Sequence, residues 1–418
     1  MKTFILFTSL IAGTQSLAPI IGLEDANPTS DNYIVVLKKG TSNAAFQSHL
    51  SSVSTRLSTR STIKQHDIFN TGTFKAYTLV VPNTTIVSLA KTPEIDYIER
   101  DQPFTLPSVA SFESTAKRSV QANAPWNLAR ISHRQRGSTD YVYQPTTGTW
   151  VYILDTGIRV SHQSFQGQAV CAFNAVASGT CDDLNGHGTH VAGIASSQTY
   201  GVVRFAGIVG VRVLDSSGSS TTATIISGIN WAVQDILSKG RVGKATGLLA
   251  VGGGFSAALN AAVASAASSG LMLAVAAGSE GTSGGNTSPG SEPTACVVGA
   301  TTVGDARLAS SNYGPNSNST PFGAERWGLL TFATVDIWAP GQNIVSLWIT
   351  SSTATNALSG TSVAAAHIAG LGAYFLALEG PRGAVELCER MRQVATANVL
   401  TGIPAGTANL LAYNLSGL

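Results

Sequence analysis

Short apolar runs alternate with helical patterns through the second, longer part of the chain. The apolar runs lie at residues 150–154, 207–214, 247–251, 271–276 and 296–300. Between them, residues 188–196, 222–238 and 256–269 have helical patterns. Continuous apolar strands separated by helices indicate a doubly wound, mostly parallel α/β sheet that is buried on both faces. Reactive residues are therefore expected beyond the carboxyl ends of these strands.

Residues 33–105 have a different rhythm. Strands are predicted at 33–37, 74–81 and 95–98, and helices at 44–57 and 85–90. This alternation predicts a small α+β domain of the ferredoxin-like, split-βαβ type. The domain contains no cluster of catalytic residue types. A linker rich in small residues follows at 104–118, and it ends in the dibasic pair Lys117-Arg118.

The N-terminus has the pattern of a secretory signal peptide. Lys2 precedes an apolar run at 4–12, and Ser16-Leu17-Ala18 fits a cleavage site, so residues 1–18 are predicted to be removed. The alternative is a short first helix or strand. The other long apolar run, 363–378, is shorter than a membrane span and predicts a buried core helix. We therefore expect a secreted protein that is not anchored in a membrane.

Composition narrows the class of protein further. Of 418 residues, 44% are hydrophobic and only 11% are charged, which excludes a disordered chain and predicts a sizeable core. The formal net charge is +2 and no basic stripe is present, so nucleic acid and anionic membranes are not expected partners. We expect a monomer.

Cysteines and sequons fit an extracellular chain. Four cysteines allow two disulfides, with Cys171 and Cys181 closing a short loop and Cys296 and Cys388 a long one; the alternative is free buried thiols. Possible glycosylation sites lie at Asn83, Asn286, Asn318 and Asn414.

Three motifs contain candidate catalytic residues. Asp155 directly follows the apolar run 150–154, although a turn-forming Asp has the same pattern. His187 lies at the start of a helical pattern; His190 follows, but no further metal-ligand motif surrounds the two histidines, so His190 is interpreted as structural. Ser362 lies at the start of the core helix, where it could be either an N-cap or a nucleophile whose oxyanion the helix N–H groups stabilise.

The chain order of these residues separates two hydrolase classes. Residues 360–364 lack one glycine of the Gly-x-Ser-x-Gly motif, and no carboxylate followed by a separate histidine lies downstream, which excludes an α/β-hydrolase. The order Asp155, His187, Ser362 is that of subtilisin. With the stretches 123–132, 252–254, 274–278, 291–293 and 310–314, the chain resembles subtilisin-like serine peptidases of the proteinase K group over nearly its whole length.

The resemblance implies a subtilase domain at 119–418 behind a propeptide at 19–118, whose inhibitor-like part spans about 33–105. It implies a triad of Asp155, His187 and Ser362, with the Ser362 N–H and position 279 forming the oxyanion hole. Polypeptides are the implied substrates, and the propeptide is the implied intramolecular inhibitor. The implied substrate-binding residues are Gly218, Ser219, Ser220, Ala250, Val251, Gly252, Gly253, Gly254, Ala276, Ala277 and Gly278.

The family pattern also implies a structural calcium ion. Its ligands would be the carbonyl oxygens of Pro293 and Ala295 and the carboxylate of Asp336, which are all hard oxygen ligands. No organic cofactor is implied.

Several positions depart from the family pattern. Ser279 replaces the asparagine whose amide usually completes the oxyanion hole, Val363 and Ala365-Ala366 replace Met and Thr-Pro, and Ala250 replaces a serine. Residues 315–335 are an insertion. Two hypotheses therefore remain: a working endopeptidase, slowed by Ser279, or a pseudopeptidase that keeps the fold as a binding or signalling protein.

Overall fold

A nine-stranded sheet forms the centre of the larger body of the protein. The computed structural model describes residues 17–22, 32–56, 68–105, 110–112, 123–176, 180–285, 287–314 and 335–416. All neighbouring strands of this sheet are parallel except the first pair. From edge to edge the strands are β20 (Thr396–Ala397), β21 (Leu410–Leu411), β17 (Ile337–Pro340), β16 (Cys296–Thr301), β14 (Met272–Ala276), β12 (Ala245–Leu249), β8 (Trp150–Asp155), β10 (Gly207–Arg212) and β9 (Ala169–Asn174).

Helices cover both faces of this sheet. On one face, α4 (His187–Ala195) and α7 (Thr361–Glu379) pack in a core with Val151 and Ile153 of β8. On the other face, α5 (Thr222–Ser238) and α6 (Ala257–Ser268) pack in a second core with Tyr152 and Leu154. Alternate residues of one strand thus lie in different cores, which confirms the predicted doubly wound α/β fold. The remaining helices of this body are α3 (Trp126–Ser132) and α8 (Ala384–Val394).

Several short strands lie outside this sheet. They are β11 (Ser219–Thr221), β13 (Gly253–Gly254), β15 (Thr287–Ser288), β18 (Ile344–Leu347) and β19 (Thr355–Ser359). β13 pairs with β15 and β18 pairs with β19, both antiparallel.

The apolar run 363–378 is the core helix that the sequence predicts. Among the described residues, α7 is the one helix long and apolar enough to cross a membrane, yet 89% of its most apolar window is buried inside the protein. His367 lies fully buried within it, where Nδ1 donates to the Val363 carbonyl and Nε2 accepts from Asn127 Nδ2 at 2.8 Å. Burial lowers the pKa of His367 to about 4, so this histidine is neutral near pH 7.

The N-terminal part forms a separate sheet with its own core. Its strands follow the order β1 (Ile20–Ile21), β5 (Ile95–Arg100), β2 (Asn32–Leu37), β4 (Phe74–Val80) and β3 (Ile68–Thr71). With α1 (Asn43–Arg56) and α2 (Asn83–Leu89), strands β2 to β5 make the predicted split-βαβ unit. The two outer strands, the parallel β1 and the antiparallel β3, were not predicted. The small strands β6 (Pro103–Thr105) and β7 (Ala110–Phe112) follow within the predicted linker.

Both predicted disulfides are present. Cys171 bonds to Cys181 and Cys296 to Cys388, so the described chain has no free cysteine. The second disulfide joins β16 to α8 and closes the longer loop.

One predicted glycosylation site does not fit the folded chain. Asn414 is fully buried, and its Nδ2 atom, to which a glycan would be attached, donates to the Val142 carbonyl at 2.7 Å. The prediction at Asn414 is therefore corrected, since a glycan cannot occupy that position in the folded protein. Asn83 begins α2. Asn286, Asn318, the dibasic Lys117-Arg118, residues 1–16 and most of the insertion 315–335 lie outside the described residues.

Candidate active site

Asp155 and His187 form a buried pair at the carboxyl edge of the sheet. Asp155 ends β8, and His187 is the first residue of α4. His187 Nδ1 lies 2.8 Å from Asp155 Oδ1 and 2.9 Å from Oδ2. Because a carboxylate only accepts, Nδ1 carries the proton and Nε2 is left as a hydrogen-bond acceptor. This tautomer is the one that a general base needs.

His187 and Ser362 lie at the N-termini of two helices, α4 and α7, that pack in the same core. His187 Nε2 is buried and has no hydrogen-bond partner among the described residues. Ser362 Oγ lies 3.4 Å from the Ala250 carbonyl and donates to it, and the side chain is fully buried. A serine hydroxyl changes partner by rotation about one bond, and catalytic hydrogen bonds in free enzymes often form only when substrate binds.

The position of Ser362 in α7 adds an electrostatic feature. Gly360 is the N-cap of α7, so Ser362 lies in the first turn, where backbone N–H groups have no partner within the helix. The Ser362 N–H and the positive end of the helix dipole can stabilise negative charge that develops beside the hydroxyl.

Ser279 lies close to this first turn. It is mostly buried, and its Oγ atom is 3.3 Å from Thr361 Oγ1, within hydrogen-bond distance. Ser279, at the position predicted to complete the oxyanion hole, is therefore within hydrogen-bond distance of the residue that precedes Ser362. Thr361 was not selected from the sequence, although its place next to Ser362 was a usable signal.

The predicted pocket wall ends in a tight turn held by Asn312. Ala276 ends β14, and Gly278 adopts φ +99°, a conformation that favours glycine. Asn312 Oδ1 accepts from the Glu280 and Thr282 N–H groups at 3.2 and 3.0 Å, which fixes the chain after the pocket. Asn312 belongs to a stretch that the sequence analysis recognised, but its role in fixing this turn required the tertiary structure.

A strand after the N-terminal domain pairs with β11, which contains the predicted substrate-binding residues Ser219 and Ser220. β6 pairs antiparallel with β11, so that Phe104 lies opposite Ser220 and Thr105 opposite Ser219. The Phe104 side chain is buried against Gly253, where any Cβ atom would lie 2.7 Å from the ring. β7 pairs with β19, the strand that precedes Ser362. β11, the predicted substrate-binding strand, therefore binds an extended segment of the chain as an added strand.

Two carboxylates of the N-terminal domain contact helices of the larger body. Glu99 Oε2 accepts from Ala258 N at 2.8 Å in the first turn of α6. Asp101 Oδ1 accepts from Ala223 N at 3.0 Å in the first turn of α5. Burial raises the pKa of both carboxyl groups. The contacts satisfy free N–H groups and place negative charge at the positive ends of two helices.

His190 does not form a metal pair with His187. Its Nε2 lies 3.0 Å from the Ile344 carbonyl and 3.1 Å from that of Asn356. Burial, with a smaller contribution from the nearby His187, lowers the pKa of His190 to about 3. Its role in the fold is to join α4 to the hairpin β18–β19. The described residues contain no cluster of three or more His, Cys, Asp or Glu side chains that could hold a metal ion.

The predicted calcium ligands lie before the amino ends of two neighbouring strands, whereas Asp155 lies at the carboxyl end of β8. Pro293 and Ala295 precede β16, and Asp336 precedes the neighbouring strand β17. Asp336 Oδ2 accepts from Val297 N at 2.9 Å, and burial raises the pKa of this carboxyl group to about 6. Two carbonyl oxygens and a buried carboxylate on adjacent strands are a donor set suited to Ca²⁺.

Comparison with known proteins agrees with this geometry. The model of the subtilase family matches residues 146–401, and that of the peptidase inhibitor I9 family matches residues 32–107. A subtilisin-like serine protease, AsES, from Sarocladium strictum is 46% identical over 82% of this chain and 81% of its own. A cuticle-degrading protease from Metarhizium anisopliae is 39% identical over 95% of this chain and 93% of its own.

A solved structure gives the same result. The crystal structure of a cold adapted subtilisin-like serine proteinase superposes with a TM-score of 0.61 at 35% identity, covering 70% of this chain and 99% of that protein. The chain therefore belongs to the subtilase family and is a subtilisin-like serine endopeptidase with an N-terminal I9 inhibitor domain.

Proposed function

We propose that this chain is a secreted endopeptidase that uses Asp155, His187 and Ser362 to cleave polypeptides after bulky apolar residues. The observation that carries the proposal is the His187 side chain, whose Nδ1 is bound to both oxygens of Asp155 while the buried Nε2 has no partner in the described part of the chain. A base in this state at the start of α4, with a serine in the first turn of α7, which packs in the same core, is suited to nucleophilic acyl transfer.

In the proposed reaction, Ser362 Oγ attacks the scissile carbonyl while His187 Nε2 takes the hydroxyl proton. Asp155 holds the imidazole in the correct tautomer and stabilises its positive charge. The Ser362 N–H and the Ser279 hydroxyl face the oxyanion. His187 then gives the proton to the leaving amine, and a water molecule hydrolyses the acyl enzyme by the same sequence of proton transfers.

Substrate is proposed to bind as the propeptide strand β6 does, paired with β11 along Gly218, Ser219 and Ser220. On the other side it contacts the backbone from Ala250 to Gly254. The small residues Ala276, Ala277 and Gly278 leave room for the side chain before the cleaved bond. This is the basis for the proposed preference for bulky apolar residues.

Replacement of the proposed nucleophile tests this function. Ser362→Ala should lower kcat by about 10⁵–10⁶-fold on peptides with a bulky apolar residue before the cleaved bond, because the covalent route is lost. Ser351→Ala, an exposed serine elsewhere, should leave kcat unchanged. Equal hydrolysis by the parent and Ser362→Ala across a varied peptide panel would contradict the enzyme and favour a binding protein.

Ser279 is proposed to be a weak oxyanion donor, because its hydroxyl is shorter than an asparagine amide and shares a hydrogen bond with Thr361. Removing the amide from subtilisin lowers kcat about 10²–10³-fold. Ser279→Asn should therefore raise kcat by about 10-fold or more with KM nearly unchanged, since the donor acts mainly in the transition state.

The matched variant Ser279→Ala separates a weak donor from no donor. If the Ser279 hydroxyl contributes, kcat should fall below the parent value while KM again stays constant. An unchanged kcat in both Ser279→Asn and Ser279→Ala would show that position 279 does not face the oxyanion.

The I9 domain is an intramolecular inhibitor, and we propose that Phe104 is its main anchor in the cleft. Phe104 lies in the core of the larger body, so its truncation should weaken binding without unfolding the inhibitor domain. With Phe104→Ala in the propeptide added to mature enzyme, the inhibition constant should rise about 100-fold, equivalent to about 3 kcal/mol. Val80→Ala, at an exposed position of the same domain, is the control and should inhibit like the parent.

A calcium ion is proposed to stabilise the sheet edge through Pro293, Ala295 and Asp336. Chelation with EDTA should lower the Tm of the parent, because an ion that binds only the folded state stabilises it. The Tm of Asp336→Asn should be lower and insensitive to EDTA. A parent Tm that is indifferent to chelation would argue against the site.

Secretion and maturation complete the proposal. Residues 1–18 act as the signal peptide, and a protease that cleaves after dibasic pairs can release the mature domain after Lys117-Arg118. The mature enzyme acts as a monomer, and Asn83, Asn286 and Asn318 are candidate glycan sites. N-terminal sequencing and intact mass of the secreted Ser362→Ala chain test these steps, since processing after Arg118 would then not need self-cleavage.

A further inference from the structure

A buried carboxylate lies just before the catalytic histidine and is not part of the triad. Asp183 is mostly buried, in the loop that leads into α4. Its two oxygens accept five hydrogen bonds. Oδ1 accepts from Thr156 Oγ1 (2.8 Å), Asn185 N (3.0 Å) and Gly186 N (2.8 Å), and Oδ2 accepts from Thr189 N (2.8 Å) and Thr189 Oγ1 (2.6 Å).

These donors come from the two segments that carry the acid and the base. Thr156 directly follows Asp155, whereas Gly186 and Thr189 lie on either side of His187. Thr156 Oγ1 also accepts from Gly188 N at 2.9 Å while it donates to Asp183. Asp183 and Thr156 thus connect the end of β8 to the first turn of α4 through one continuous set of hydrogen bonds.

The first turn of α4 depends on side chains because its N-cap is a glycine. Gly186 has φ +109° and offers no side-chain cap. The N–H groups of His187, Gly188 and Thr189 are instead bound by Asn185, Thr156 and Asp183, respectively. Asp183 is the charged member of this set, and charge strengthens hydrogen bonds at a helix N-terminus.

We propose that Asp183 is a positioning residue for catalysis, which holds His187 in register with Asp155. This inference rests on the proposed triad. The imidazole reaches both oxygens of Asp155 only if the start of α4 keeps its distance and angle to the end of β8. A displacement of about 1 Å in a catalytic group can cost about 100-fold in rate.

Kinetics on titrated active sites test the proposal. Asp183→Ala should lower kcat about 100-fold with KM within about twofold, because the cleft residues are not touched. Asp183→Asn keeps one acceptor oxygen but turns an amide donor toward Thr189, so its kcat should fall less, about 10-fold. Asp182→Asn, at the exposed neighbouring position, is the matched control and should equal the parent.

A measurement that does not need turnover separates this inference from the proposed function. In the full-length Ser362→Ala chain, the downfield proton resonance of His187 Nδ1–H reports its hydrogen bond to Asp155. It should be present with Asp182→Asn and shifted or lost with Asp183→Ala. An unchanged resonance, or an unchanged kcat per active site with only a lower Tm, would reduce Asp183 to a structural cap and overturn the proposal.

Discussion

Burial of the parallel sheet on both faces is the constraint on which the rest of this protein depends. Since β8 presents Val151 and Ile153 to one core and Tyr152 and Leu154 to the other, helices have to cover both sides. A helix that follows a parallel strand begins at the carboxyl edge of the sheet. α4, α5 and α6 follow parallel strands and therefore direct their free N–H groups toward the edge where Asp155 ends its strand. α7 follows the hairpin strand β19 instead, and its N-cap Gly360 is fixed at the same edge because its N–H donates to the Gly341 carbonyl directly after β17.

This shared orientation explains how one edge supports several tasks. The N-terminus of α7 carries Ser362, the proposed nucleophile, and that of α4 carries His187 and is bound by Asp183. The N-termini of α5 and α6 bind the propeptide carboxylates Asp101 and Glu99. The proposed catalysis, the proposed positioning of His187 and the binding of the propeptide carboxylates all use the attraction between negative charge and a helix N-terminus.

The residues near this edge that depart from the family pattern differ in what they affect. Val363, Ala365 and Ala366 directly follow Ser362 in α7 and are fully buried in the core, so these departures from the family pattern affect packing. Ser279 is different, because its hydroxyl lies within hydrogen-bond distance of Thr361 and carries fewer donors than an asparagine amide. Of these departures, Ser279 is therefore the one that we propose to affect the reaction rate.

The sequence by itself determined five central strands, the four covering helices and the family resemblance that selects Asp155, His187 and Ser362 as the proposed triad. Helices and strands follow from periodicity in a short window, and Asp155, His187 and Ser362 stand in motifs with a diagnostic chain order. Only the tertiary structure decided the roles of Asp183, Asn312, Thr361 and Phe104, the edge strand β1 and the burial of Asn414. Each of these depends on contacts between distant segments, or on burial that no local pattern records. In the sequence alone, Asp183 cannot be distinguished from other loop aspartates. In the folded protein, the segments at the end of β8 and the start of α4 place five donors around its two oxygens.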